Sequence, residues 1–443
     1  MRLLAVRVPA PAAARAAAVP AAARVVAAAV TAAQAAAAVA VGARLARGRD
    51  RLPPLSPVAP PSPPPSPVAS PSPPPSPAGP RTPEISVVIP ARDEEARIGP
   101  CLRAVLADPA AGEVIVVDDE SRDGTARLAA SLGATVLAGA PLPPGWVGKQ
   151  WALRQGAAAA RGEVVVTLDA DARPRPGLLS AMAAALQDYD LVTAGPRFVC
   201  DGAAEQALHA SFLATLVYRF GPIGPRVPPP PHLTLANGQC TAFRRDRMAA
   251  ADGFGRIRGH MTDDVALART LAADGWAVGF LDAGGLLEVD MHESAGEVWR
   301  EWGRSLPLRD VTGAGRLAAD LAVVWLTCAL PAARLVLGRP TRLDLALLGV
   351  RLLLTGALRG SYTRPGPGLW SSPLLDPATA VRLTLATLRP VRTWRGRRYP
   401  AGTASASGSG GITDGAVRGA ARGAVRGVTG GAPPAPPGRT GAR

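Results

Sequence analysis

The feature that most limits how this chain can fold is a series of short apolar runs, each stopping at acidic or basic residues. Residues 85–89 run into Pro90, with Arg92 and Glu94 close behind. Residues 113–117 end at Asp118-Asp119, and residues 164–168 end at Asp169. A shorter run, 135–137, lies between them, and helix-like stretches cover 96–107 and 125–132. Continuous apolar strands between helices predict an α/β unit with a mostly parallel sheet covered on both faces. Ligands of such sheets sit beyond the carboxyl ends of the strands, where Arg92, Asp118-Asp119 and Asp169-Asp171 fall.

At 443 residues the chain is too long for one average domain, so one large domain with appendages is expected. The net charge of +15 is concentrated at the ends. Residues 1–52 hold eight Arg and one Asp, residues 389–443 hold ten Arg and one Asp, and the middle is near neutral. Basic ends beside apolar segments suit an anionic membrane surface. No zinc, helix-turn-helix or RNA-binding signature accompanies the charge, so no nucleic-acid partner is expected. Cys101, Cys200, Cys240 and Cys328 form no C-x-x-C pair and read as buried reduced thiols.

Residues 21–42 are nearly all Ala and Val, interrupted by Arg24 and Gln34, and are about long enough to cross a bilayer. A cleaved signal or an amphipathic surface helix are the other readings. Arg44, Arg47, Arg49 and Arg51 follow and would hold that side in the cytoplasm. The chain thus divides into an N-terminal membrane anchor with a basic flank (1–52) and a Pro/Ser-rich linker (53–83) of polyproline II type. A catalytic domain (84–310) follows, then a membrane hairpin (311–360), an amphipathic segment (361–400) and a disordered tail (401–443). The hairpin comprises the apolar segments 317–338 and 343–358 around Gly338-Arg339-Pro340; in-plane interfacial helices are the alternative.

Asp169-Ala170-Asp171 places two carboxylates, one residue apart, at the end of a buried strand. Adjacent carboxylates are costly unless a cation lies near, and Mg²⁺ or Mn²⁺ takes such oxygens while keeping phosphate oxygens as further ligands. The run VVDDESRDGT (116–125) is a second acidic strand end, where a carboxylate can accept from a ribose hydroxyl or base N–H. Asp123 or Thr125 would cap the next helix.

Taken in order, ISVVIPARDEEARI (85–98), VVDDESRDGT, GWVGKQWA (145–152), LDADA (168–172), ANGQCTAFRRD (236–246) and MTDDVALA (261–268) resemble family 2 glycosyltransferases of the GT-A fold. Within that family the chain looks most like bacterial carotenoid (4,4'-diaponeurosporenoate) glycosyltransferases, with hopanoid-associated enzymes next. GWVGKQWA, the ANGQ and DDVALA series, and the tail Trp394-Arg395-Gly396-Arg397-Arg398-Tyr399 after Trp-Ser-Ser-Pro-Leu at 370–374 carry the closer likeness.

The resemblance implies a GT-A α/β domain with membrane helices on either side, and roles for its residues. Pro90, Ala91, Arg92 and Glu94 would line the nucleotide pocket with Asp118. Asp119 would meet the uracil or its equivalent, Lys149 the donor region, Asp169 the ribose or sugar, and Asp171 a divalent metal, Mg²⁺ or Mn²⁺. Asp264 would be the general base of an inverting single displacement, with Asp263 in place of the family's Glu. Asn237, Gly238, Gln239 and Asp263 fall on the acceptor side or in secondary positions.

The implied reaction moves a sugar from a nucleotide-sugar, UDP-glucose being the expected donor, to a lipid acceptor such as a carotenoid or hopanoid. It would take place at the cytoplasmic face of the cell membrane. A polyprenyl-phosphate sugar transferase, a polysaccharide synthase and a catalytically dead membrane-anchored scaffold are the alternatives. Residues 290–292 read Asp-Met-His where the family often has Arg-Met-Tyr, leaving Arg300, Arg304 or His292 to replace that arginine at the diphosphate. Trp299 and Trp302 read as interfacial rings, with core packing as the alternative. Thr262 is the cap expected if Asp263-Asp264 merely stabilise a helix start.

Overall fold

A computed structural model describes residues 21–58, 84–290, 292–394 and 396–399. Most of the Pro/Ser-rich linker, the tail 401–443, Met291 and Arg395 lie outside the described residues. The chain opens with α1 (Ala21–Ala46). It then alternates through β1 (Ile85–Ala91), α2 (Ile98–Leu106), β2 (Ala111–Asp118), α3 (Thr125–Ser131), β3 (Thr135–Ala138), α4 (Gly148–Ala159) and β4 (Val164–Leu168). Next come β5 (Ala172–Pro174), α5 (Leu178–Ala185), β6 (Leu191–Gly195), β7 (Arg197–Phe198), α6 (Ala203–Phe220) and β8 (Cys240–Arg244). Two short helices, α7 (Arg245–Ala250) and α8 (Gly253–Arg256), precede α9 (Asp263–Ala273), β9 (Val278–Asp282) and β10 (Leu287–Val289).

The main sheet has the order β3-β2-β1-β4-β8-β6-β9. Its strands pair in parallel except β8, which runs antiparallel to both β4 and β6. Side chains alternate between two cores, as a two-residue period requires. Val87, Ile89, Val114, Val116, Val164, Val166 and Leu168 face one core with Leu102 of α2 and Met182 of α5. Val88, Ile115, Val117 and Val165 face the other, with Leu153 of α4 and Leu271 of α9. A small second sheet has the order β5-β10-β7, with β10 antiparallel to β5 and parallel to β7. The predicted mostly parallel sheet between helices is therefore present, and all four cysteines are buried free thiols.

A helical layer follows: α10 (Ala295–Ser305), α11 (Ala314–Val324), a π-helical stretch Trp325–Ala329, α12 (Leu330–Val336), α13 (Arg342–Ala357), α14 (Pro367–Ser371) and α15 (Asp376–Leu388). It packs with α1 and α6 around a third core. The polar residues that interrupt its apolar segments are spent inside it. Gln34 of α1 is fully buried and donates to Asp344 Oδ1 of α13 (2.7 Å), and Arg334 lies 3.3 Å from the same carboxylate. Arg351 donates to both oxygens of Asp376 (2.8 and 3.0 Å), a buried pair that also takes the Ser211 hydroxyl of α6 (2.8 Å). The basic flank after α1 is held too: Arg44 donates to the Tyr218 carbonyl (2.9 Å) and Arg51 to the Ile223 carbonyl (2.8 Å).

Among the described residues, two helical stretches are long and apolar enough to cross a membrane, Ala21–Arg49 and Ala314–Val336. The second arm of the predicted hairpin, α13, has 16 residues, short of the roughly 20 that a bilayer core asks of an untilted helix. The interfacial reading of the tryptophan pair is corrected. Trp302 is buried against Phe198 and stacks on His209, and Arg382 covers the Trp299 ring. α10 packs on α6, which buries Trp302 and leaves Trp299 half-buried beside Phe212. After α15 the chain forms β11 (Thr393–Trp394) and β12 (Arg397–Arg398), paired across a turn at Gly396 (φ 73°).

The seat of α4 on β1 and β2 depends on Gly156. A Cβ there would lie 2.3 Å from Val88 Cγ1 and 2.9 Å from Val117 Cγ2. Gly156→Ala is expected to lower stability by about 1–3 kcal/mol through overpacking, read as a lowered midpoint in chemical unfolding of the detergent-solubilised protein.

Candidate active site

Two loops form one end of the site, and their backbone amides are bonded to each other's side chains. Asp93 N–H donates to Ser121 Oγ (3.0 Å), Arg122 N–H to Asp93 Oδ1 (2.7 Å), Glu94 N–H to Thr125 Oγ1 (2.8 Å) and Glu95 N–H to Asp123 Oδ2 (3.1 Å). Asp93 and Glu120 both sit in the left-handed region (φ 53° and 57°), a strained placement that such cross-bonding can hold. Asp123 accepts the Thr125 amide (3.0 Å), but Gly124 holds the N-cap position of α3 without a side-chain cap bond, so neither Asp123 nor Thr125 is the N-cap expected from the sequence.

Parallel pairing sets Pro90 beside Val117 and Ala91 beside Asp118. The chain then delivers Arg92 next to Asp119. Asp119 N–H donates to the Ala91 carbonyl (2.8 Å), and the Arg92 guanidinium donates to the Asp119 carbonyl. Burial pushes the Asp119 carboxyl upward in pKa, opposed by Arg397 and Arg92. Asp118 is half-buried, and its Oδ1 has no hydrogen-bond partner among the described residues. Glu94 is spent locally: its carbonyl accepts the Arg97 and Ile98 amides (2.9 Å each) at the start of α2, and its carboxylate is 3.3 Å from Arg97 Nε.

The centre of the site is a knot of charge. Lys149, in the first turn of α4, brings Nζ to 2.8 Å from Asp169 Oδ1 and 3.7 Å from Asp263 Oδ2. The loop before β8 threads between them. Asp169 N–H donates to the Gln239 carbonyl (3.0 Å), Gln239 N–H donates to Asn237 Oδ1 (2.9 Å), and Asn237 Nδ2 donates to Gln239 Oε1 (3.0 Å). Gly238 N–H donates to Asp264 Oδ2 (3.1 Å). A Cβ on Gly238 would stand 3.2 Å from Lys149 Nζ and 3.3 Å from Asp264 Cβ, so any side chain would press on both.

Burial works against the Lys149 ammonium, but Asp169 and Asp263 overcome it and raise its pKa. Burial raises both acids of α9. Asp264 reaches about 7, with repulsion from Asp263 adding to burial and Lys149 opposing. Both sit in the first turn of α9, where the helix end favours negative charge. Thr262 does not cap that helix, since its hydroxyl is turned to Asp310. The structure thus brings together Lys149, Asp169, Asn237, Gly238, Gln239, Asp263 and Asp264. Pro90, Ala91, Arg92, Asp118 and Asp119 gather at the other end.

Asp171 follows β4 by three residues and, with Asp169, adds to the burial that raises the Cys101 thiol. Among the described residues, no group of three or more His, Cys, Asp or Glu is placed to hold a metal alone. Asp169 is already engaged by Lys149. The residues present therefore fit a hard cation at Asp171 together with oxygens that a diphosphate brings, as Mg²⁺ chemistry favours.

Asp290 is ion-paired with Arg173 at the second sheet, and Arg304 with Glu301. His292 is buried beside His209 and Trp302, and burial lowers its pKa to about 4. It belongs to an aromatic cluster, so the expectation that it might stand in at the diphosphate gains no support. A residue that sequence reasoning missed is Arg397, which donates to Asp119 Oδ1 (3.3 Å) and Oδ2 (3.2 Å). The one signal for it was the basic tail motif, quoted for its likeness and given no role.

Residues 86–248 match the family model described as "Glycosyl transferase family 2". The 4,4'-diaponeurosporenoate glycosyltransferases of Staphylococcus aureus strains USA300 and N315 are each 41% identical over 88 residues, 20% of this chain and 24% of theirs. The chain thus spans about a quarter of the length of these curated relatives. Among solved structures, glucosyl-3-phosphoglycerate synthase from Mycobacterium tuberculosis with Mn²⁺, UDP and glucosyl-3-phosphoglycerate is 22% identical, covering 54% of this chain and 80% of that one at a TM-score of 0.35. Residues 86–248, whose matched motifs lie at the strand ends of the sheet described above, thus carry the family 2 glycosyltransferase match on an α/β domain of the GT-A type.

Proposed function

We propose that the chain is a glycosyltransferase that moves a sugar from a nucleotide-sugar, UDP-glucose in the first instance, to a hydrophobic lipid acceptor of carotenoid or hopanoid type at the cytoplasmic face of a membrane. The observation that carries the reading is the convergence of Lys149, Asp169, Asp263 and Asp264 around Gly238. It sets a cation for a departing diphosphate beside a carboxylate that can take a proton. Asp119, with Pro90, Ala91, Arg92, Glu94 and Asp118 around it, would receive the nucleoside, and Asp169 the ribose or sugar. Asp171 would hold the divalent ion, which when bound supplies charge neutralisation at the diphosphate.

Asp264 would take the acceptor hydroxyl proton as the sugar transfers in one displacement, with inversion at the anomeric carbon. Burial and the Asp263 charge make Asp264 a stronger base than a solvated aspartate. Asn237 and Gln239 would stiffen the loop that presents Gly238 to that carboxylate. The lipid acceptor is supported by the relatives' printed activity and by the exposed apolar side chains of the helical layer. Val336, Leu337, Leu353, Leu374 and Leu388 are each more than two-thirds exposed, a display typical of surfaces that meet membranes or partners. The anchor and the Ala314–Val336 stretch would hold the domain there.

The test is transfer of label from UDP-glucose into extracted lipids by membranes carrying the chain. Asp264→Asn and Asp171→Ala are each expected to lower transfer by roughly 10²-fold or more. Label that stays out of every lipid fraction, with nucleotide still bound, sinks the acceptor assignment. A second expectation concerns pH. A general base acts when ionised, so kcat/KM should fall as pH drops below about 7 and level off above it. A flat profile from pH 6 to 8 would argue against Asp264 as the base.

Lys149→Met should cost about 3 kcal/mol of stability at pH 8 by leaving three carboxylates without their cation. Without Lys149 the pKa values of Asp263 and Asp264, already raised by burial, rise further, and their protonation at lower pH relieves the repulsion. The loss should therefore be smaller at pH 5, which parallel unfolding curves at the two pH values would show.

A further inference from the structure

The C-terminal hairpin crosses the nucleoside end of the site and is fastened to three of its walls. Arg397 grips both Asp119 oxygens (3.3 and 3.2 Å) and also pairs with Glu120, on the loop after β2. Tyr399 Oη accepts the Gly148 amide (3.1 Å) at the start of α4, one residue from Lys149. Arg392 donates to the Gly259 carbonyl (2.8 Å), on the loop leading to Asp263. Tyr399 N–H closes back on the Arg392 carbonyl (2.9 Å), which makes the hairpin one unit. With Arg397 in place, Asp119 is 3% exposed. A carboxylate so covered cannot accept from an incoming base or ribose.

We propose that Arg397 is a positioning residue that latches the donor site: the hairpin holds Asp119 in an Arg397 ion pair, and a nucleotide donor must displace that pair to seat its nucleoside. The inference rests on the reading of Asp119 as the nucleoside carboxylate. The exchange is chemically even-handed. One guanidinium nitrogen, Nη1, is shared between the two Asp119 oxygens while Nη2 holds Glu120, and a base N–H or sugar hydroxyl takes over one of the Asp119 lone pairs. Arg92, at 3.7 Å, keeps a cation beside the carboxylate in both arrangements. The latch lowers the apparent donor affinity by the fraction of molecules in which it is open. It also keeps a buried acid paired while the site waits.

The experiment titrates the full chain in detergent with UDP, and with GDP as a second probe. It compares the unaltered protein with Arg397→Ala, Arg397→Lys and Tyr399→Phe, and follows hydrogen exchange across 392–399. Arg397→Ala should bind UDP roughly three- to tenfold more tightly, because the closed population is removed. Arg397→Lys should fall between that variant and the unaltered protein. Tyr399→Phe loosens the same hairpin at Gly148 without touching Asp119 and should shift affinity the same way by less. In the unaltered protein, UDP should speed amide exchange over 392–399. That readout would not move if Arg397 only braced the fold.

Weaker UDP binding by Arg397→Ala, or slower exchange over 392–399 with UDP, overturns the latch and makes Arg397 a donor ligand. Equal affinity in all four proteins overturns the latch and leaves the donor reading standing. Failure of every protein to bind either nucleotide overturns both.

Discussion

The Lys149 ammonium is the interaction on which the site depends. It stands between Asp169, carried by the sheet, and Asp263, carried by α9, and it offsets part of the cost of placing three carboxylates in one partly buried volume. Without it the acids would repel, protonate or draw apart, and the loop at Gly238 would lose the frame it threads. Its position is set by packing as much as by charge. α4 lies against β1 and β2 through Gly156, two turns from Lys149, so the ammonium arrives where the sheet lets the helix come close. The local electrostatics therefore inherit their geometry from a steric contact in the core.

Much of this was legible in the chain because apolar runs and acidic strand ends are local features. Residues 164–168 are strand as read, and the helix after Gly124 begins at Thr125 as read. The first strand runs two residues past the predicted stop because Pro90 is not a terminator there. β1 pairs with β4 only as far as Val88 and continues alone with β2 to Ala91, so at Pro90 it is an edge on one side. An edge tolerates the missing N–H that a central position would not. The antiparallel β8 and the short strands β5, β7 and β10 left no comparable mark. A run of two or three residues carries too little periodicity to separate strand from loop, and the five residues of β8 lack the continuous apolar character of β4.

Features decided by distant partners were not legible. Two tryptophans three residues apart on a helix suit an interface or a core equally, and the arrival of Phe198 and His209 took Trp302 into the core. Asp290 looked like a lost diphosphate ligand, yet it is one half of an ion pair with Arg173 across the second sheet. Arg397 is one of ten arginines after residue 388. No local pattern marks it as the one that reaches a carboxylate 278 positions earlier in the chain.

The buried Arg351–Asp376 pair acquires a further meaning once the hairpin is considered with it. Asp376 is the first residue of α15, and that helix runs directly into the strap that ends on Asp119. The ion pair therefore acts as the zero mark of a ruler. From that fixed origin the helix and a few extended residues measure out the distance to Asp119. A one-residue insertion in α15 would rotate every later position by about 100° and offer Asp119 a different side chain. The spacing between Asp376 and Arg397 is thus a dimension of the Asp119 end of the site, set by helix residues that do not touch it.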